Sequence, residues 1–490
     1  MNLALRAPKR KRVRRTAKGT IYARLGGHVA LEAHANGEIV ACFNGYSVSL
    51  GTFSTGAADL ARDLRYGLPL ASFVSSRRNI DKEIDLLVRR LAARGFLEYR
   101  LARSRNGEDL LVIEPQVPDF WPQTPPLGNS DVLVLSRFAY MRRRANDLVL
   151  ESPLAGALFK ICDPKIAAAL AMLVSPQQIK QLRSEDGFPG VELLALLLDC
   201  RIIFKIGLAN KSSLQLVEGD DNLVLWDFHD LLFHSRSTGG RHANPLGGVY
   251  PYAGVIPPVP AVRPHWPGKK IDLRKLSSAP PELVSPVAKL LRERHSTRSF
   301  DDRRPITLTE LALFFDSTVR VLSVSSSKSD LRNGGYVTRP YPSAGASHEL
   351  ELYLAVNNCE GLKRGFYHYD AAAHGLVRIG VSEDELEQHL AGAEYSMGAA
   401  AATQVLITMA ARFARMSWKY SSIAYSLILK DVGVLMQTLY LVATEMGLGG
   451  CAIGITNIDL FAKMTGIEFH VEGPVGQFAI GRRAKSGAAD

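Results

Sequence analysis

Apolar positions from Ile21 to Val217 follow one pattern twice. Ile84-Asp85-Leu86-Leu87, then Leu91 and Arg94, recurs as Val191-Glu192-Leu193-Leu194, then Leu198 and Arg201, with every pair at the same offset. The helical spacing predicts an amphipathic helix in each copy. Each helix runs into a β-rich stretch, Phe96–Arg100 in the first copy and Ile202–Ile206 in the second. Gly95 at the first junction suits a helix C-cap, because glycine enters the left-handed region without a Cβ clash. Upstream, Ile39–Phe43 and Tyr46–Leu50 flank Asn44-Gly45, a strong two-residue hairpin signal. In the second copy, Val132–Leu135 and Leu148–Leu150 are expected to pair in the same way across a longer polar loop. Asn106-Gly107 predicts a further hairpin, between Phe96–Arg100 and Leu110–Ile113.

Strands, helices and a closing hairpin are the plan of a winged helix-turn-helix, so two such units are expected, at 20–117 and 128–217. Residues 218–248 predict a helix with Trp226, Phe228, His229, Phe233 and His234 on one face, then a glycine-rich stretch. Six prolines between Pro251 and Pro267 exclude helix and central strand, so 218–280 reads as a helix plus an extended linker. From 281 to 486 helices and strands alternate. A helix over Pro305–Asp316 has Thr307 or Thr309 as its cap, and His348–Val356 alternates as a strand. Val405–Ala410 is almost wholly apolar, as a sheet covered on both faces requires. Ile423–Met446 is apolar nearly all round, with Lys430, Asp431 and Glu445 as its charges, which places it in a large core or a subunit interface. Val475–Ile480 closes the chain. The expected fold class is α+β, two small units ahead of a larger C-terminal domain.

A chain of 490 residues with 47% hydrophobic and 22% charged residues is globular and long enough for two or three domains. The net charge of +11 suggests nucleic acid until it is located. Arg6, Lys9, Arg10, Lys11, Arg12, Arg14, Arg15 and Lys18 supply eight of those charges, in a stretch without an acid. Residues 1–19 are therefore expected to be a basic disordered tail, and no specific nucleic-acid face is expected elsewhere. Five dispersed cysteines without a Cys-x-x-Cys pair point to a reducing, cytoplasmic compartment. No stretch approaches the roughly 18 uncharged apolar residues of a membrane helix, and no apolar region follows the basic start, so neither membrane nor secretion is expected. Gly447-Leu448-Gly449-Gly450-Cys451-Ala452 imitates a dinucleotide fingerprint but follows a helix and precedes a strand, the reverse of what that chemistry needs. The histidines form no ligand-like cluster, and no metal is expected.

Three segments carry candidate chemistry. In Arg294-His295-Ser296-Thr297-Arg298 the arginines and Ser296 alternate, so two guanidinium forks and a hydroxyl share one face, a phosphate cradle. Tyr341-Pro342-Ser343-Ala344-Gly345-Ala346 puts small residues just before a strand, where a planar group could approach the backbone. Lys419-Tyr420, near Arg412, Arg415, Trp418 and Tyr425, could supply a base: an ammonium stabilises a phenolate, and burial disfavours the free ammonium. Taken singly, each segment also reads as an ordinary turn or dipeptide.

Their order is distinctive. Arg294-x-Ser296-x-Arg298, Pro342-Ser343-Ala344-Gly345 before Glu349–Tyr353, Gly365–Tyr369, Trp418-Lys419-Tyr420, Asp431-x-Gly433 with Gln437, Gly447-Leu448-Gly449 and the strand at Gly476 resemble the SagB-type azoline dehydrogenases. These are thiazole- and oxazole-forming peptide oxidases with a flavin-dependent nitroreductase fold. Leu135–Ala139, Glu151–Pro153 and Phe228–His234 are similar to the N-terminal part of long members. The resemblance implies FMN as cofactor, with Arg294, Ser296 and Arg298 on its phosphate and ribityl chain and Arg482 as a further phosphate partner. It implies Pro342, Ser343, Ala344 and Gly345 along the flavin from the second subunit of a homodimer, with Gln437, Gly449 and Gly450 also at the cofactor. Lys419 and Tyr420 would be the catalytic pair, with either one as the base. The N-terminal units would be peptide-recognition modules that clamp a precursor peptide by adding it to a sheet edge, and a cyclodehydratase would be a partner. Gly433-Val434, Gln437-Thr438 and Ser426 depart from the expected pattern and bear on substrate detail. Two other functions fit parts of the sequence: a generic NAD(P)H-dependent nitroreductase, and a winged-helix nucleic-acid binder with a degenerate flavin domain.

Overall fold

The computed structural model describes residues 19–43, 45–70, 79–184, 188, 190–206, 218, 220–241, 247–263, 267–268, 270–273, 285–325, 335–399 and 402–484. The expected basic tail, all but Gly19, lies outside these residues, as do Asn44 of the first hairpin turn, Pro264 of the linker and the expected domain start at Pro281. The chain divides into two compact units, 1–220 and 221–490.

The first unit is built from one motif used twice. The first copy runs β1 (Thr20–Leu25), β2 (Val29–Ala33), β3 (Glu38–Phe43), β4 (Tyr46–Thr52), α1 (Thr55–Arg62), β5 (Leu68–Pro69), α2 (Asn79–Ala93) and β6 (Leu97–Ala102), followed by β7 (Asp109–Pro115). The second runs β8 (Val132–Leu135), β9 (Tyr140–Arg144), β10 (Asp147–Glu151), β11 (Ala157–Ile161), α3 (Pro164–Met172), β12 (Gln177–Gln178), α4 (Ile179–Leu182), α5 (Val191–Asp199) and β13 (Ile203–Ile206). In the first copy β1 lies between β5 and β6, and β2-β3-β4 form a meander; in the second β8 lies between β12 and β13, and β9-β10-β11 form a meander. Corresponding polar side chains start the corresponding helices: Ser54 caps α1 and Asp163 caps α3. Leu87, Leu91, Leu194 and Leu197 are buried in one shared core.

This topology corrects the expected pairing of Val132–Leu135 with Leu148–Leu150. Strand β8 pairs with β12 and β13, whereas β10 pairs with β9 and β11. The counterpart of the first hairpin is therefore β10–β11, at an offset slightly longer than that of the helices. The cue was hidden because β9, Tyr-Met-Arg-Arg-Arg, reads as a polar loop. Arg142 in it pairs with Glu151 at 2.6 Å and Arg144 with Glu114 at 2.6 Å, so two of its three charges are neutralised on the sheet.

The copies differ at one edge. β7 lies antiparallel along the outer side of β11, from Ala157 opposite Pro115 to Ile161 opposite Leu111. That joins the copies into one seven-stranded sheet, β5-β1-β6-β7-β11-β10-β9. β4, which corresponds to β11, has β3 on one side and no strand on the other among the described residues.

The second unit contains α6 (Asp221–Val224), α7 (Phe228–Ser237), α8 (Pro286–Glu293), β14 (Ile306–Thr307), α9 (Leu308–Thr318), β15 (Ser323–Val324), β16 (Val337–Thr338), β17 (Leu350–Val356), β18 (Cys359–Glu360), β19 (Gly365–Asp370), β20 (Gly375–Ile379), α10 (Glu383–Met397), β21 (Val405–Arg412), α11 (Phe413–Ser417), α12 (Ala424–Glu445), β22 (Leu448–Ile453), α13 (Ile458–Thr465) and β23 (Glu472–Arg482). Its centre is an antiparallel sheet, β20-β19-β17-β21-β23-β22. β21 is buried from Val405 to Ala411. Leu406 and Ala410 face a core with Leu386, Leu390 and Phe461 of α10 and α13. Gly476 of β23 lies under Val432 and Met436 of α12 and beside Met409, so α12 covers the other face, where a Cβ at Gly476 would collide. Thr307 caps α9 through a capping box with Glu310.

Two expectations are refined here. The predicted helix over 218–248 breaks at Trp226-Asp227 into α6 and α7. Trp226 donates to the His470 carbonyl at 2.8 Å, and His234 meets the Tyr425 hydroxyl at 3.0 Å, which packs α7 into the second unit. α12 is not buried on every face. Tyr425, Ile428, Val432, Leu435 and Leu439 are buried, but Ser426, Lys430, Gly433, Val434 and Gln437 form an exposed row. By length and composition α12 could also cross a membrane, but its buried row is spent on the sheet and on neighbouring helices.

Candidate active site

The loop between β16 and β17 is the most strained stretch of the second unit. Gly345 (φ 57°), Ala346 (φ 54°) and His348 (φ 46°) are left-handed, and for the two non-glycine residues this costs roughly 1–2 kcal/mol each. Such strain persists only where surrounding bonds over-determine it. Asp431 of α12 supplies them: it accepts from the Ser343 hydroxyl at 2.9 Å and from the Ala344 N–H at 3.1 and 2.9 Å. The His348 N–H in turn donates to Ser343 Oγ at 2.9 Å. Arg415 of α11 donates to the Ser347 carbonyl at 2.9 Å and the Gly335 carbonyl at 2.6 Å.

Lys419 and Tyr420, just after α11, close on this loop. Lys419 Nζ donates to the Gly345 carbonyl at 2.9 Å and lies 5.3 and 5.4 Å from the ring centres of Tyr336 and Tyr420. A Cβ at position 345 would run into the Tyr420 hydroxyl and Lys419 Nζ, so glycine is needed there for contact as well as for φ. Lys419 is exposed and Tyr420 half-buried, and Trp418 beside them is 60% exposed. Two segments distant in sequence thus form one small constellation open to solvent on one side.

Buried polar groups collect on the same loop. Arg339 Nε, Tyr341 Oη, His348 Nδ1 and Glu349 Oε1 are buried without a hydrogen-bond partner. Burial pushes Glu349 up to about 7, with the charge of Asp431 adding to it, while burial and the nearby Arg339 and Arg415 push His348 down to about 4. Burial also raises Tyr341.

The arginine segment sits elsewhere on α12. The Thr297 N–H donates to the Gly450 carbonyl at 2.8 Å, laying residues 294–298 along β22. Ser296 shares a 2.8 Å bond with the Tyr440 hydroxyl, which also accepts from the Ala452 N–H at 2.8 Å, and the Arg294 guanidinium lies 5.1 Å over the Tyr440 ring. Among the described residues Arg294 and Arg298 make no ion pair with a carboxylate, and Thr297 Oγ1 is buried without a partner. Two uncompensated guanidiniums beside spare hydroxyl capacity fit a phosphate dianion. Arg482 does not join this set: it binds Glu310 through two contacts of 2.8 and 2.7 Å. At Gly449 a Cβ would meet Thr297 at 2.7 Å, and at Gly450 it would strike the Phe478 ring, so the chain's own packing demands glycine at both. Asp431 and Tyr440 are nine residues apart, about 14 Å along the helix axis. Gln437 lies between them in sequence, on the exposed row. Pro342 leads into the strained loop. The sequence reading missed Glu349 as a buried acid and Tyr440 as the partner of Ser296. It had quoted Asp431 without a role, although an acid inside an apolar helix is a signal in itself.

Comparison with known proteins agrees with this architecture. The cyanobactin oxidase ThcOx family matches residues 133–243, and the nitroreductase family matches residues 291–482. A nitroreductase of Methanocaldococcus jannaschii is 31% identical over 165 residues, 34% of this chain and 76% of its own. The E. coli microcin synthetase McbBCD complex with truncated pro-MccB17 bound is similar over 56% of this chain and 100% of its own, at 19% identity and TM-score 0.39. A Desulfovibrio desulfuricans nitroreductase in complex with FMN is similar over 42% of this chain and 91% of its own, at 15% identity and TM-score 0.27. With a buried antiparallel sheet, the long helix across it and the two family matches together, the chain belongs to the nitroreductase family of oxidoreductases, carrying a cyanobactin-oxidase segment ahead of that domain.

Proposed function

We propose that this protein is an FMN-dependent azoline dehydrogenase, oxidising thiazoline or oxazoline rings in a ribosomally made precursor peptide to thiazoles or oxazoles. The observation that carries this reading is the Lys419–Tyr420 pair seated on the strained 343–348 loop, in a nitroreductase chain that also has a cyanobactin-oxidase segment. Aromatising such a ring removes a proton from one carbon and a hydride from its neighbour. Bound FMN would supply the hydride acceptor, since no side chain can take a hydride. Arg294 and Arg298, with Ser296, would hold its phosphate. Tyr420 takes the ring proton, and Lys419, anchored to the Gly345 carbonyl, stabilises the phenolate beside it. The reverse assignment, with a neutral lysine as base, uses the same geometry.

The partners follow from surfaces the chain leaves open. The precursor peptide adds as a strand along β4, the edge whose counterpart in the second copy takes β7. A second copy of the chain covers the exposed row of α12, where Val434 is 37% exposed and Ile423 just ahead of the helix 50% exposed. It also covers α8, an amphipathic helix with no buried residue, whose Val287 and Leu291 are at least half exposed. A cyclodehydratase delivers the azolines, and the five unpaired cysteines suit the reducing cytoplasm where that assembly would work.

The test is to give the purified yellow protein an azoline-bearing precursor and weigh the product. Loss of two hydrogens per ring, with bleaching of the flavin in the absence of air, is expected. Flavin reduced by NAD(P)H with the rings untouched would replace this reading with a generic nitroreductase. A colourless protein that binds nucleic acid would replace it with a binder.

A further inference from the structure

The buried face of α12 is apolar through its middle except for Asp431, which is only 5% exposed. A buried carboxylate needs partners, and Asp431 finds both on the 343–348 loop, in the Ser343 hydroxyl and the Ala344 N–H. At the end of that loop Glu349 is fully buried, and its Oε2 lies 3.3 Å from the same Ser343 hydroxyl, while Oε1 has no partner. A hydroxyl has one proton and donates to one carboxyl at a time. Two buried carboxyls around one hydroxyl therefore cannot both be ionised at small cost.

We infer that Asp431 and Glu349 share one proton as a latch that seats loop 343–348 on the Lys419–Tyr420 pair, with Asp431 as a positioning residue for that pair. The inference rests on the azoline-dehydrogenase reading only for what the pair does once seated. With Glu349 protonated, one negative charge remains, on Asp431, where it holds Ser343 and Ala344. The Ser343 oxygen then holds the His348 N–H, the left-handed turn at 345–348 is kept, and the Gly345 carbonyl stays under Lys419 Nζ. When Glu349 ionises, two buried charges meet at one hydroxyl, and opening the loop to water relieves them.

The other charged or titratable groups around Asp431 and Glu349 are Arg339, Tyr341 and His348 of the loop, Glu351 of β17 and Arg415 of α11. Glu349 and His348 are shifted in opposite senses. Glu349 has its value raised from 4.5 to about 7 in the closed loop, so its contribution to closure is full below 4.5 and is lost as the pH rises through about 7. His348 is lowered from 6.5 to about 4, so its contribution is present above 6.5 and is lost as the pH falls through about 4. The two partly cancel in the wild type, which hides the latch unless one is removed.

Hydrogen exchange of the loop amides in the flavin-loaded protein, corrected for intrinsic rates, isolates it. Glu349→Gln keeps the shape of the neutral acid and cannot ionise. The ratio of its loop protection to that of the wild type should rise with pH from about 4.5, by up to about two orders of magnitude, and level off above about 7. Asp431→Asn should lose loop protection at every pH while keeping its flavin, and its azoline oxidation should fall in kcat with KM for the precursor unchanged. A protection ratio independent of pH, or wild-type loop protection in Asp431→Asn, overturns the latch. Exchange is read without turnover, so a protein that leaves azolines untouched would sink the proposed function and leave this result standing.

Discussion

Buried charge is handled differently in the two units. In the first, guanidiniums that enter the sheet arrive with acids: Arg100 lies 2.5 Å from Asp109, Arg142 takes both oxygens of Glu151, and Arg144 both oxygens of Glu114. In the second, Arg339, Tyr341, His348 and Glu349 keep buried polar atoms without partners in one short stretch of chain, on a loop with three left-handed residues. These ion pairs brace the sheet of the first unit, and what that unit leaves open among the described residues is the edge of β4. A unit that leaves strain and orphan polar atoms in one place has a site there. On the proposed function, recognition would fall to the first unit and chemistry to the second, and mutations should separate the two.

The largest effect should come from the cradle. Arg294→Ala together with Arg298→Ala removes two charge-assisted contacts of roughly 1.5–3 kcal/mol each, enough to weaken flavin binding by about 10²–10⁴-fold. The double variant should purify nearly colourless and inactive, by absorbance and by released flavin. Arg482→Ala is the internal control: its guanidinium already serves Glu310, so it should cost stability and leave most flavin bound. Full flavin content in the double variant would remove the phosphate site from this segment.

Next in size is the pair itself. Tyr420→Phe or Lys419→Ala should bind flavin normally and lose about 10²–10⁴-fold in azoline-driven flavin reduction, followed in a single turnover. The variant with the larger loss identifies the base. Near-wild-type rates in both would leave the strained loop without a chemical purpose and dissolve the contrast between the units.

Much of this contrast was legible in the sequence, unevenly. Helical periodicity placed α2 and α5, because Ile84, Leu87 and Leu91 repeat on a local period that packing then uses. Strand partners are non-local, and β8 and β10 have equally apolar patterns, so nothing in the sequence says which strand lies beside which. The three consecutive arginines of β9 concealed a hairpin whose sign was Ala145-Asn146, with Ala145 left-handed at φ 50°. At the site, Lys419, Tyr420 and the Pro342–Gly345 loop were visible as segments, but not that Lys419 would close on the Gly345 carbonyl. The meeting of Glu349 and Asp431 depends on how α12, several elements further along the chain, crosses the sheet, and no local pattern encodes that. Arg482 shows the opposite limit: a C-terminal arginine looks unpaired in the sequence, and the Glu310 carboxylate of the α9 capping box lies beside it in the fold.

The smallest expected effect tests the other side of the contrast, the open edge of β4. Phe43 and Tyr46 close a two-residue turn opposite each other, and Val48 stands opposite Ala41, so Ser47 alternates with them. In such a ladder the residues between hydrogen-bonded pairs turn their N–H and C=O outward. Ser47→Pro therefore removes a donor from the free edge without breaking the bonds to β3, a change that edge strands tolerate. A lost backbone bond contributes about 1 kcal/mol, and the ring also obstructs an arriving strand, so KM for the full precursor should rise roughly tenfold. A short azoline peptide without the rest of the precursor should be oxidised at the wild-type rate. The matching substitution in the second copy's neighbour, Val112→Pro, falls in β7, a strand paired on both sides, and should lower the melting temperature of the first unit instead. If Ser47→Pro changes neither KM nor the melting temperature while Val112→Pro behaves as stated, the difference between the copies is architectural only, and the precursor is held elsewhere.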